Sequence, residues 1–338
     1  MINTLSVYRQ GIIDALHAID ANQGAMLGGV NAWGEDLRAR LLEFTARGKL
    51  IRGSLVLAAA EAFGAAPSTP AYTVAASVEL VQSFLLIHDD IMDEDETRRG
   101  GPSVHTALAR AHGEAKLGRD LAILAGDLAS SLHEGLLANL DAPADRRQLV
   151  ARVFAEMHLD VVHGQTLDLL GSASAEEVAS RKTASYTTVG PLTAGAALGG
   201  ADASQVVALA GIGRPLGVAF QIRDDLLGAF GEPDKTGKPV GTDLLRGKRT
   251  VLLERALARA DDPQRAAIES VIGRPDANDE QLAAATAALI DCGAKAECEE
   301  RISELVSTAI RSLEQGLYLA RGRQLISELA TALSRRET

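Results

Sequence analysis

The chain has 338 residues, 46% hydrophobic and 3% aromatic, and its 34 Lys and Arg against 45 Asp and Glu give a net charge of −11. That balance excludes the basic stripe of a nucleic-acid binder and the polybasic patch that holds a protein on an anionic membrane. Alanine and leucine dominate while β-branched and aromatic alternation is scarce, so the expectation is a chain that is nearly all helix, in one domain spanning 1–338. The only cysteines, Cys292 and Cys298, have no histidine cluster beside them and read as free thiols of a reducing compartment. The N-terminus lacks a signal-peptide cleavage pattern, and nowhere do about 20 apolar residues follow one another. A cytoplasmic protein without a membrane span is expected.

In chain order, residues 2–20 carry Ile12, Ile13, Leu16 and Ile19 at helical spacing, and Gly24, Gly28 and Gly29 break the pattern. A second helix covers about 34–46. Next comes ARGKLIRGSLVLAAAEAFG, where Gly48, Lys49 and Arg52 place two cations at a helix start, a natural anion site because free N–H groups and the helix dipole favour negative charge there. Residues 71–96 form a central helix that is apolar almost all round, with Val74, Val78, Val81 and Leu85 in one stripe and Leu80, Phe84 and Ile87 thickening it. Its polar exceptions, Glu79, Gln82 and Ser83, need partners. That helix runs into Asp89, Asp90 and Asp93, continues through Glu94, Asp95 and Glu96, and meets Arg98 and Arg99. Asp89 and Asp93 fall one turn apart on one face. Such a crowd of carboxylates is repulsive unless water or a cation joins it, and oxygen ligands suit Mg²⁺ with substrate phosphates. The two arginines supply planar forks for phosphate oxygens. His88 reads as a packed histidine at the edge of this group.

Helices follow near 103–112, 116–139 and 147–170, the last carrying Gln165 and Asp168 on one face; Lys182 and Thr183 then open a helix rich in Gly and Ala. The acid pattern returns in FQIRDDLLGAFGEPDKTGKPVGTD, where Gln221 shares a helix face with Asp224 and Asp225. Two acid doublets ending apolar helices, each with basic residues downstream, would clamp a phosphate-bearing substrate through metal from two sides. Between Gly228 and Gly247 a Gly- and Pro-rich loop with Lys235 and Lys238, followed by Lys248 and Arg249, reads as a cationic lid. The rest is helical apart from GRPDAND at 273–279.

These motifs, in this order and over nearly the whole chain, resemble the trans-isoprenyl diphosphate synthases of the polyprenyl synthetase family: GKLIR, LLIHDDIMDEDETRRGGPSVH, HGQTLDL, KTASY and FQIRDDLLGAFGEPDKTGKPVGTDLLRGKRT. The resemblance implies an all-α bundle of long antiparallel helices around a central cavity, working as a homodimer. It implies a Mg²⁺-dependent head-to-tail condensation of isopentenyl diphosphate with an allylic diphosphate, with three ions per site. On the matching positions it makes Asp89, Asp90, Asp93, Asp224 and Asp225 metal ligands. Arg98, Lys182 and Lys238 would hold the allylic diphosphate, and Gly48, Lys49, Arg52, Gln82 and Arg99 the isopentenyl diphosphate. Asp168, Thr183, Gln221 and Lys248 would order the reaction centre.

The chain departs from the family pattern in three places. Gly228 stands where many members carry a third Asp of the second motif, and Leu50 and Gly53 replace a common Arg and Pro. By family habit the residues just before the first motif floor the product cavity. A single aromatic, Phe84, five before Asp89 resembles makers of the C20 product geranylgeranyl diphosphate. Helix geometry complicates this, since Leu85 lies about 40° around the axis from Asp89 and Phe84 about 140°. Farnesyl (C15) and longer products stay open, as does a non-catalytic subunit of a hetero-oligomeric synthase. A terpene cyclase would call for an Asn/Ser/Glu second motif, and a phosphohydrolase for further ligand clusters; neither is present.

Overall fold

The computed structural model describes residues 2–26, 32–98, 100–231 and 241–334. Among them helix dominates, in agreement with the composition, and the only strands are two of two residues each, paired in a short hairpin. In chain order the helices are α1 (Ile2–Met26), α2 (Ala32–Ala46), α3 (Ile51–Ala62) and α4 (Thr69–Met92). Strands β1 (Thr97–Arg98) and β2 (Gly101–Pro102) pair antiparallel with Thr97 opposite Pro102. Next come α5 (Val104–His112), α6 (Ala115–Ala138), α7 (Ala144–Leu170) and the single turn α8 (Ala175–Val178), which leads into two π-helical turns, Ala179–Thr183 and Ser185–Val189. Then follow α9 (Gly190–Gly199), α10 (Ala203–Phe230), α11 (Thr242–Leu245), α12 (Val251–Arg259), α13 (Asp262–Glu269), α14 (Asp279–Asp291), α15 (Ala294–Gln315) and α16 (Ala320–Ser334).

Contacts group the chain into two compact units, one of 1–155, 190–209 and 317–326, the other of 156–189, 210–316 and 327–338. In the first, α4 packs against α1, α3, α6 and α9, and α3 packs against α9. The apolar periodicity explains this: Ile12, Leu16 and Ile19 of α1 and Val74, Val78, Leu80, Val81 and Ile87 of α4 are all buried. Each such side chain contributes about 1.5–3 kcal/mol. Ser68 is the N-cap residue of α4 and Pro70 lies in its first turn, where a missing N–H costs nothing. In the second unit, Val218, Ile222 and Leu226 of α10 share a core with Leu252 and Leu253 of α12, Ile268 of α13, Leu289 of α14 and Ile302 of α15. Sharp starts for α13 and α14 come from capping boxes, Asp261 with Gln264 and Asn278 with Gln281.

Two boundaries differ from the sequence reading. Gly24 lies within α1 rather than ending it, while Gly28 and Gly29 fall outside the described residues. α10 continues past Gly228 to Phe230, so the glycine expected to open the loop is helical. By length and composition, α4, α6 and α10 are also apolar enough to cross a membrane, although no uninterrupted apolar run of that length occurs. Charged residues interrupt each of them, and the most apolar stretch of α4 is two-thirds buried inside the protein.

Candidate active site

At the start of α3 the chain turns through Leu50, a fully buried leucine in the left-handed region at φ 53°. That conformation costs a non-glycine residue roughly 1–2 kcal/mol. It leaves Lys49 exposed ahead of the helix and Arg52 half-buried in the first turn. α3 has no side-chain cap of its own. Instead Gly53 N–H donates to Oε1 of Glu79, a buried carboxylate on α4, at 2.7 Å. One turn along, the Gln82 amide, in the orientation that satisfies both its ends, donates to Glu79 Oε2 (2.9 Å) and accepts from Arg52 Nη1 (2.7 Å). Arg52 and Gln82 are therefore brought together, with Gly48 and Lys49 just ahead of the same helix start. Glu79 is the member that sequence reasoning saw only as a polar exception. Arg99 lies outside the described residues.

α4 stops at Met92, not at residue 96. Asp93 is the C-cap residue and donates its N–H to Asp89 O at 2.8 Å, and Glu94 turns left-handed at φ 54°. A run of carboxylates at the partially negative end of a helix dipole disfavours continuation, so Glu94, Asp95 and Glu96 leave the helix. Asp89 and Asp93 stay one turn apart and half-buried. Asp90 is fully buried, and its Oδ1 accepts from Arg98 Nε (2.8 Å) and Nη2. Arg98 Nη2 also donates to Oδ2 of buried Asp95 at 3.1 Å. Asp90 and Arg98, expected on a metal and on a diphosphate, are joined to each other here in an ion cluster with Asp95. The three-residue spacing of Asp95 and Arg98 was the available signal for it.

Upstream, His88 Nε2 lies 3.1 Å from Ile123 O of α6, and the Phe84 ring meets His88 edge to face at 4.9 Å between centroids. This matches the packed-histidine reading. Phe84 thus shares its helix column with His88, on the side that meets α6, whereas Leu85 is in the column of Asp89.

In the second unit, Lys182 Nζ pairs with Asp168 Oδ2 at 2.9 Å, with the side chains 15% and 24% exposed. Gly164 of α7 permits this approach, since a Cβ there would meet Lys182 N at 2.3 Å. Thr183 Oγ1 donates to Gln221 Oε1 at 2.6 Å, and Gln221 Nε2 donates to Asp225 Oδ1 at 2.8 Å. Asp225 Oδ2 accepts the N–H of Val251, the first residue of α12, at 3.3 Å. Lys182, Thr183, Gln221, Asp225 and Asp168 are thus brought together on α7, α10 and the π-helical turns. Burial pushes the Asp225 carboxyl up to about 7; Lys248 and the Gln221 hydrogen bond oppose the shift, while Asp243 and Asp224 add to it. Asp224, next in sequence, is exposed. Lys238 lies outside the described residues.

Asp243 is a residue the sequence reading missed. A Cβ added at Gly228 would meet Asp243 Oδ2 at 2.5 Å, so this carboxylate covers the position where many family members carry a third aspartate. Its place in GTD, five residues before Lys248, was the signal. Lys248 N–H donates to Asp243 O at 2.9 Å, which ties the lysine to the same turn. Among the described residues no three His, Cys, Asp or Glu side chains converge into a closed metal cage. A surface cavity of about 710 Å³ beside Ser174, Glu176, Ser180, Arg214 and Leu305 contains none of the expected site residues.

Aspartate doublets thus lie near the ends of the long apolar helices α4 and α10, the first in the unit that holds the cationic start of α3 and the second in the unit that holds the Lys182–Asp168 pair. The chain belongs to the polyprenyl synthetase family, which it matches over residues 36–289, and it is an isoprenyl diphosphate synthase. It is 39% identical to a short chain isoprenyl diphosphate synthase of Methanothermobacter thermautotrophicus, over 71% of this chain and 72% of that protein. It is 37% identical to a (2E,6E)-farnesyl diphosphate synthase of Mycobacterium tuberculosis, over 78% and 74%. Among solved structures, a geranylgeranyl pyrophosphate synthase of Corynebacterium glutamicum complexed with isoprenyl diphosphate and magnesium superposes with a TM-score of 0.90 at 33% identity, over 97% of this chain and 98% of that one.

Proposed function

We propose that this synthase joins isopentenyl diphosphate head to tail to an allylic diphosphate in a Mg²⁺-dependent reaction whose final product is geranylgeranyl diphosphate (C20). The observation that supports this reading is that the neighbouring helices α3 and α4 carry a cationic group and an acidic group, the charges suited to a diphosphate held directly and to one held through metal. One is the basic turn of Lys49, Arg52 and Gln82; the other is the acid pair Asp89 and Asp93. The donor set fits Mg²⁺: it is all carboxylate oxygen, with Asp89 and Asp93 half-buried and Asp224 exposed, and it leaves coordination positions for water and phosphate. Asp89 and Asp93, with buried Asp90 next to them in the chain, and Asp224, with buried Asp225 next to it, are the carboxylates that would hold Mg²⁺. When bound, the metal neutralises the charge that grows on the departing diphosphate.

The chain's own residues supply the rest. Lys182, held by Asp168, is a cation for the allylic diphosphate, as are Arg98 and Lys238, while Lys248 helps to order the reaction centre. Lys49, Arg52, Gln82 and Arg99 hold the isopentenyl diphosphate so that its double bond faces the allylic carbon. Fixed placement of both substrates replaces a costly encounter in solution. The Thr183–Gln221–Asp225 chain fixes the turn that carries Lys182. No side-chain base is assigned; membership of the family makes the released diphosphate the acceptor proposed for the proton lost from the new allylic chain.

The C20 product is supported by Phe84 as the single aromatic ahead of Asp89 and by the named activity of the corynebacterial relative. A farnesyl product is the second reading, favoured by the mycobacterial relative. Exposed Leu117, Ile123 and Leu124 on α6 support a homodimer, and the two free cysteines support a cytoplasmic setting. We take the chain to act as a single synthase domain.

The test incubates purified protein with Mg²⁺, isopentenyl diphosphate and each allylic diphosphate from C5 to C15, and resolves products by length, with Phe84→Ala alongside. The expected result is a C20 product that lengthens in the variant. A C20 product unchanged in the variant moves the floor to Leu85. A C15 end product overturns the length, and no condensation by folded protein overturns the synthase reading in favour of a non-catalytic subunit.

A further inference from the structure

A helix start has N–H groups with no partner inside the helix, and the N-cap residue of α3, Leu50, has no polar side chain to meet them. Its third residue, Gly53, finds its acceptor on another helix. Glu79 is 1% exposed on a helix whose buried residues are mostly apolar, a costly place for a carboxylate. Its position is explained by what it touches. Oε1 takes the Gly53 N–H at 2.7 Å, and Oε2 takes the Gln82 amide at 2.9 Å, which turns the other end of that amide to Arg52 Nη1 at 2.7 Å. A proline at 53 would have no N–H to give, so glycine at this position and glutamate at 79 work as a pair. Ile12 and Ala75 crowd Gly53 within 3.1 Å of where a Cβ would stand, which keeps α3 close enough to α4 for the contact.

We propose that Glu79 is a positioning residue of the basic site: it caps α3 from α4 and, through Gln82, sets the direction in which Arg52 points. The proposal rests on the reading of Lys49, Arg52 and Gln82 as the isopentenyl diphosphate site. The adjacent hydroxyls extend the same framework, since Ser83 Oγ lies 2.8 Å from Thr45 Oγ1 of α2 and donates to Glu79 O at 3.0 Å. The charge matters beyond the shape. A carboxylate favours the cap at the positive end of the helix dipole and commits Gln82 to donate toward it, leaving only the carbonyl for Arg52. A glutamine at 79 removes that commitment, because its own amide can accept or donate.

The experiment compares wild type, Glu79→Gln and Glu79→Asp in steady-state condensation with each substrate varied in turn, together with calorimetric binding of isopentenyl diphosphate to the same folded proteins. In Glu79→Gln the KM and the dissociation constant for isopentenyl diphosphate should rise on the order of tenfold, the effect of losing one charge-assisted hydrogen bond. The KM for the allylic diphosphate and kcat should change less than about twofold, within the ordinary scatter of a neutral change. Glu79→Asp, which keeps the charge, should recover part of the affinity. Unchanged isopentenyl diphosphate affinity in a folded Glu79→Gln variant overturns the proposal. An equal loss in both substrates and in kcat also overturns it, because that marks a purely structural role. Wild-type protein that shows no condensation and binds no isopentenyl diphosphate fails the functional reading itself, a result distinct from either.

Discussion

Asp89-Asp90 at the end of α4 and Asp224-Asp225 near the end of α10 each divide into an accessible first residue and a buried second one. Successive residues on a helix point about 100° apart, so a doublet cannot present both carboxylates to one side. What differs is the partner of the buried member. Asp90 meets a guanidinium, Arg98, which it shares with Asp95. Asp225 meets neutral donors, the Gln221 amide and the Val251 N–H, with a lysine charge only in its surroundings. The same two letters therefore end one helix in an ion cluster and brace the other with ordinary hydrogen bonds. Identical motifs leave their first residue accessible and use the second to hold the framework.

The largest test of that contrast removes the partners. Arg98→Ala leaves Asp90 and Asp95 buried without their guanidinium and should cost about 3–5 kcal/mol of stability, whereas Gln221→Ala should cost about 1–2 kcal/mol. Urea unfolding of both variants measures the gap, and equal costs would erase the distinction. A second test uses pH. In metal-free protein, folded Asp225 keeps its proton up to about 7 while the unfolded chain releases it near 3.8. The folded state then binds more protons between those values, so this group's contribution to stability falls as pH rises through that window. Asp225→Asn should flatten that decline, read as the difference in unfolding free energy between wild type and variant at several pH values. A Cβ at 228 gives the smallest expected effect. Gly228→Ala pushes the end of the Asp243 side chain aside at little cost to the helix, which alanine favours. The Mg²⁺ concentration for half-maximal activity should rise roughly two- to fivefold, the size of one weak polar contact.

Much of the fold was legible because the apolar period of α1, α3 and α4 is carried by strong helix formers, and because glycine, proline and capping residues mark the breaks. The outward acids, the basic turn and the Lys182 segment were legible as motifs. Three things were not. The end of α4 at Met92 depends on the left-handed Glu94 and on Arg98 gathering Asp90 and Asp95, a balance of like charges that spacing alone does not decide. The role of Glu79 depends on a neighbouring helix supplying an N–H, and Asp243 over Gly228 depends on a chain reversal bringing distant residues together. Such contacts are tertiary, and a reading based on local period sees only a polar residue on an apolar face.

The π-helical turns between Ala179 and Val189 have an evolutionary consequence. A π turn is an α-helix carrying an extra residue, so a one-residue deletion converts one of these two turns to regular helix at no cost in backbone bonding. The same deletion would shift the residues of that turn by one position, about 100° around the helix axis, against flanking turns that keep their places. Lys182 and Thr183 would then lose Asp168 and Gln221 together, although every functional residue was still in the chain. Length, as much as identity, is therefore constrained in this segment, and indels should be tolerated far less here than in the GRPDAND connection at 273–279.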